Sequence, residues 1–382
     1  MSERVSEFEQ SEVEESEMDE MEDPAVKRRL ESVGIEFDPK KRSATFMQVD
    51  QKTAKASSFM EGVEIMSIRT ALEKYEWVED YFWRIVKREQ DDFTKIADSE
   101  EVNGYFIRSL PGYKVEIPVE ACLYLRKAGL KQKVHNIIIA EENSELNIIS
   151  GCTSHPGIRN GMHIGISEFF VKKNAKLTFS MIHSWESDIE VRPRSAALVE
   201  ENGLFISNYV LMNPVKLVQM YPTAYVEKNA TAIFSSVIVA LENSVVDAGS
   251  RAVLRGENAS AEIISRTISK GGDIIARGHI IGSAPDVRGH LECRGLMLSE
   301  NGKIHAVPEL DARYPNVDLS HEAAIGKIAE EEIFYLQSRG LSKEEAEAAI
   351  IRGFLELDIK GIPDVLKREI DKAISLLETD LL

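Results

Sequence analysis

The chain has 382 residues, 43% hydrophobic and 29% charged, with a formal net charge of −18, and a chain of that length buries a sizeable core in more than one structural unit. Outside its acidic head the chain is only mildly acidic, which argues against a nucleic acid or an anionic membrane as partner, and no apolar run reaches the ~18 residues of a membrane span. Three scattered cysteines, Cys122, Cys152 and Cys293, exclude a disulfide framework and point to a reducing, cytoplasmic setting.

Residues 1–24 carry eleven acidic side chains against one basic, Arg4. Such a segment buries too little apolar surface to offset its ordering entropy, so a disordered acidic tail is expected. It has neither the basic n-region nor the apolar h-region of a secretory signal. Residues 25–103 read as an N-terminal helical region. Within Ile68 to Lys95, Leu72, Tyr75, Val78, Phe82 and Ile85 recur at three- and four-residue spacing, and a mixed polar connector, Lys40 to Phe59, precedes them.

From Gly104 to about residue 317 the texture becomes short β-rich runs, among them Asn136–Ile139, Leu146–Ile149, Leu177–Ser180 and Leu204–Ser207, separated by a recurring turn. The turn asparagines are Asn143, Asn174, Asn202, Asn229, Asn243, Asn258 and Asn301, at gaps close to multiples of 14 or 15. Asparagine tolerates the left-handed conformation and so suits a tight corner. Two short strands and two corners per period describe one coil of a flattened parallel β-helix, stacked because no coil buries its apolar face alone. An ordinary β-sandwich with Asn-rich turns is the competing reading. A left-handed hexapeptide helix is disfavoured, since no six-residue apolar period occurs.

Residues 318–382 read as a C-terminal helical domain. Glu330 to Arg339 is a helical run stopped at Gly340. Ser342-Lys343-Glu344-Glu345 is a capping box opening a helix to about Asp358. Gly361-Ile362-Pro363 breaks the pattern, and a last helix covers Asp364 to Glu378.

No phosphate-cradling loop, nucleophile elbow, HExxH helix or CxxC pair is present. The chain is therefore not expected to hydrolyse ATP itself. What remains is Cys293, in Gly289-His290-Leu291-Glu292-Cys293-Arg294-Gly295, and Ser320-His321-Glu322-Ala323-Ala324. The 28 residues from Cys293 to His321 amount to about two such periods, on the order of 10 Å if strands stack at the usual spacing. By residue type alone, the cysteine reads first as an inert buried one and the His-Glu pair as an ordinary helix start.

From about residue 60 onwards the sequence resembles the SufB/SufD family of iron–sulfur assembly scaffolds, and is closer to the SufB branch. The resemblance is carried by the run Ser320 to Ile328, by Glu331-Glu332-Ile333-Phe334-Tyr335-Leu336, by Pro118 to Tyr124, by Ile149 to Thr153 and by Phe179 to Trp185. It implies a right-handed parallel β-helix between helical terminal domains. It also implies a nascent cluster, two-iron or four-iron, held at Cys293 with His321 and Glu322 beside it. Cys152 matches a cysteine that receives sulfur as a persulfide, and His183 and Trp185 match residues lining the sulfur route. This chain has His183 where the SufB branch usually has glutamine. Cys122 reads as a packed core cysteine.

Mixing a soft thiolate with carboxylate or imidazole ligands suits a cluster that must be released. One cysteine cannot serve two irons, so a homodimer or a dimer with a SufB/SufD paralogue is implied. The family further implies an ABC-type ATPase (SufC-like) docked on the C-terminal helices, with sulfur donors and acceptor apoproteins as other partners. Two alternatives stand beside the cluster scaffold: a structural SufD-like subunit that holds no cluster, and a carbohydrate-processing β-helix enzyme.

Overall fold

A computed structural model describes residues 8–9, 23–98 and 101–355. The expected tail therefore lies outside the described residues except for Phe8–Glu9, which pairs antiparallel with Ser57 and Ala56, and for Asp23 and Pro24. The last expected helix, Asp364 to Glu378, also lies outside them. No helix among the described residues is long and apolar enough to cross a membrane.

The core is a parallel β-helix made of two facing sheets. One sheet stacks Ala44–Val49, Lys114–Leu125, Glu145–Ser154, Lys176–Ser184, Leu204–Leu211, Thr231–Leu241, Ser260–Lys270, Arg288–Met297 and Asp318–Gly326, all parallel. The other is built from the intervening strands, from Lys131–Ala140 and Met162–Val171 to Asp273–Gly282 and Lys303–Ala312. The chain alternates between the sheets, and their inner faces form one continuous apolar core running from Phe46 to Cys293.

The repeat is longer than the turn spacing suggests. Register partners in the first sheet, Glu145, Lys176, Leu204, Thr231, Ser260, Arg288 and Asp318, lie 27 to 31 residues apart. One coil is thus about twice the 14–15-residue period, which corresponds to a single strand plus one corner. The expected strands run to about ten residues, not four.

The corner chemistry is as expected. Asn143, Asn174, Asn202, Asn229, Asn243 and Asn258 all have φ between 57° and 65°. At the Asn301 turn the left-handed position falls instead on Gly302, φ 84°. Stacked corners also share side-chain bonds: Asn174 donates to Asn143 at 3.0 Å, and Asn202 to Asn174 at 2.9 Å.

The N-terminal region differs from the helical expectation. It contributes strands Ala44–Val49, Lys52–Ser58 and Val63–Ser67, which extend both sheets. Ile68 to Lys95 is not one helix but α2 (Ile68–Lys74), a 3₁₀ turn and α3 (Asp92–Ala97), after α1 (Pro24–Glu31). A buried carboxylate explains the break. Glu168 accepts the backbone N–H groups of Trp83, Ile85 and Val86 at 2.6–3.0 Å and meets His135 Nε2 at 2.8 Å. Those N–H groups are then unavailable to a helix. Helix α1 lays Val26 and Leu30 on the outer face of the first sheet, against Cys122, Tyr124 and Ile149. Gly151 is required there, since a Cβ would stand 2.6 Å from the Val33 carbonyl oxygen.

At the other end, Asp318–Gly326 is the last strand of the solenoid rather than part of a helical domain. Helices α4 (Glu330–Ser338) and α5 (Lys343–Leu355) follow. Gly340, with φ 103°, ends α4. The capping box at the start of α5 is formed: Ser342 N–H donates to Glu345 at 2.7 Å and Glu345 N–H to the Ser342 hydroxyl at 3.1 Å.

Candidate functional site

Two places carry the predicted residues, and a narrow cavity inside the solenoid runs between them. Strand alternation decides what each side chain faces. On Arg288–Met297, Leu291 and Cys293 belong to the inner core, so Glu292 and Arg294 face outward. Register places Leu291 opposite His321, Glu292 opposite Glu322 and Cys293 opposite Ala323. Cys293 and His321 are thus one coil apart, not two. Cys293 and Glu322 lie on opposite faces, and His321 and Glu322 stand on an exposed strand, not at a helix start.

Around Cys293 the outer face carries a charge ladder that the sequence reading missed. Glu292 meets Arg266 at 2.8 Å and Arg294 at 2.6 Å, and Arg294 approaches Glu322 at 4.0 Å. The Cys293 thiol is buried, and desolvation, reinforced by the Glu292 charge and opposed by Arg266, pushes its pKa up to about 11. Without a metal ion beside it, it is a thiol at neutral pH, and binding one would release its proton.

Cys152 sits five strands earlier in the same sheet, roughly 24 Å along the stack at ~4.8 Å per strand. Its side chain faces inward among Ser150, Leu123 and Phe179. Burial raises its pKa to about 12, against a lowering hydrogen bond with Ser150. The cavity has a volume of about 50 Å³, room for a few water molecules. It is lined by Cys152 at one end and by Ser236, Ser265 and Arg277 towards the other. Ser265 is the register neighbour of Cys293, so the cavity ends beside the second cysteine.

His183 and Trp185 are not among the residues that line this cavity, although both are buried in the same interior. His183 is the register neighbour of Cys152, and its Nδ1 hydrogen-bonds the Tyr209 hydroxyl at 3.2 Å. Its Nε2 is buried without a partner. Trp185 lies 5.2 Å from the ring of His163 and 5.5 Å from that of His183. The lining residues that the sequence reading missed are Tyr105, His163 and Tyr209. Alternation from Cys152 would have found Ser150 only, because the others come from different coils. Cys122 is buried on the outer face of the first sheet, away from the cavity. Among the described residues, no group of three or more His, Cys, Asp or Glu is placed to hold a metal ion.

The sequence matches the family described as "SUF system FeS cluster assembly, SufBD core domain" over residues 124–354. It is 72% identical over 356 residues to an iron–sulfur cluster assembly SufBD family protein of Archaeoglobus fulgidus, covering 93% of this chain and 96% of the relative. It is 45% identical over 357 residues to one from Methanothermobacter thermautotrophicus, covering 92% and 87%. One from Pyrococcus horikoshii is 31% identical over 364 residues, covering 92% and 81%.

Proposed function

We propose, from the premise that this chain belongs to the SufBD family of iron–sulfur cluster assembly proteins, that it is a scaffold subunit whose single protomer supports an assembly complex without holding a complete cluster. The observation that carries this reading is the opposed placement of Cys293 and Glu322. One is buried inside the solenoid, and the other is outside beside Arg294. In this respect the chain behaves like a structural, SufD-like subunit. The exposed Phe334 and Tyr335 on α4 support docking of an ABC-type ATPase on the C-terminal helices.

A second, SufB-like reading is favoured by the cavity that begins at Cys152 and ends beside Cys293. At about 50 Å³ it suits single sulfur atoms but not an assembled cluster. In this reading sulfur is taken up at Cys152 and used at Cys293. The nascent cluster is cargo, shared with a second subunit across the exposed last strand, with His321 and Glu322 beside it.

Anaerobic reconstitution with iron and sulfide separates the two. A chain that binds no chromophore alone but does so with a paired subunit fits the first. A brown species formed by this chain alone and lost in Cys293→Ala fits the second. A chromophore unchanged in Cys293→Ala would remove Cys293 from the site.

A further inference from the structure

We propose that His163 is the proton-accepting residue for thiol chemistry at Cys152. This rests on the reading that Cys152 receives sulfur. His163 and Cys152 line the same cavity, on opposite sheets.

The tautomer of His163 is set by its neighbours. Gln132 is fully buried, and its side-chain N–H₂ donates to the carbonyl oxygens of Asp50 and Tyr124, at 2.8 and 3.2 Å. That fixes its amide oxygen towards His163 Nδ1, 2.8 Å away. An amide oxygen only accepts, so Nδ1 carries the hydrogen and Nε2 keeps a free lone pair. Nε2 borders Gly165, another lining residue, where a Cβ would stand 3.0 Å from it. The missing side chain leaves the lone pair open to the cavity.

The other titratable groups near the ring are His183, at 6.5 Å between ring centres, and the lining side chains Cys152, Tyr105 and Tyr209. None is charged near neutral pH. Burial holds the His163 pKa at about 4, so the imidazole is neutral with its lone pair unoccupied, and it becomes a strong enough base only as a thiolate forms beside it. The thiol at Cys152 reacts only after losing its proton, and water inside the cavity is a poor acceptor. Transferring the proton to Nε2 creates a thiolate–imidazolium pair, in which each charge offsets the desolvation of the other.

The step balances without an oxidant. The Cys152 sulfur attacks a terminal sulfur of a persulfide or polysulfide donor, forming one S–S bond while the donor's S–S bond breaks. The Cys152 proton passes to His163 Nε2 and then to the sulfur of the leaving fragment.

The test treats the full chain anaerobically with inorganic polysulfide and follows the persulfide at Cys152 by peptide mass mapping. Wild type should take up sulfur and Cys152→Ala should lose that modification. His163→Gln should react roughly 100-fold more slowly or worse. Its deficit should shrink as pH rises and hydroxide replaces the base, a trend that a merely structural defect would not give. If His163→Gln does not fold, Gly165→Ala keeps the imidazole but crowds its lone pair and should show the same pH-dependent deficit. A variant as fast as wild type at every pH, or a deficit independent of pH, overturns the role of His163 while leaving Cys152 as acceptor. No sulfur on Cys152 in the wild type overturns both.

Discussion

Cys293 pairs across the last ladder with Ala323, so its thiol points into the solenoid while Glu322, one residue before Ala323, points out beside Arg294. Two residues that look like co-ligands in the sequence are separated by the plane of a sheet. One cargo touching both would have to reach around the exposed last strand.

The charges around Cys293 set its reactivity. Glu292 raises the thiol pKa and Arg266 lowers it. Glu292→Gln should therefore speed alkylation of Cys293 at pH 8 several-fold, and Arg266→Met should slow it. Anaerobic thiol titration with peptide mapping reads both; equal rates in the two variants would contradict the assignment.

Cys152 has a thiol pushed up to about 12 by burial. Its alkylation in the folded protein should rise about tenfold per pH unit through the alkaline range and should become fast at neutral pH once the chain is denatured. A fast neutral reaction in the folded state would show that the cavity is open to bulk solvent.

Glu168 holds three backbone N–H groups and His135. Glu168→Ala leaves buried donors unpaired and should cost roughly 3–5 kcal/mol. Loss of hydrogen-exchange protection should be confined at first to Trp83, Ile85 and Val86. Unchanged protection there would show that the loop is held by its aromatic contacts instead.

His163 titrates near 4 in the folded chain, against an ordinary 6.5, because burial disfavours its charged form. The unfolded chain then binds the proton first on acidification. Stability from this group is complete above about pH 6.5 and is lost as pH falls towards 4, by on the order of 3 kcal/mol. Melting curves of His163→Gln should be correspondingly less sensitive to acid across that window. Parallel curves for both proteins would contradict the depressed value.

Asn174 occupies a left-handed corner and bonds to Asn143 and Asn202. Asn174→Ala should destabilise by about 1–2 kcal/mol, and Asn174→Gly by less, because glycine keeps the conformation and loses only the ladder. Thermal melting of the two variants decides the order.

The sequence by itself determined the corners, the solenoid, the capping box at Ser342 and the cysteines worth watching. These are local matters: left-handed backbone selects Asn or Gly, and a helix start selects its cap within a few residues. Sequence spacing could not tell a whole coil from half a coil, because one strand with one corner repeats in the chain just as the full turn does. Nor could it see Glu168 breaking the helical pattern of residues 68–95 from about 80 residues away. Only the tertiary structure decided the faces. Register and alternation put Cys293 inside and Glu322 outside, and stacking brought His163, Tyr105 and Tyr209 from separate coils to line the cavity that Cys152 opens.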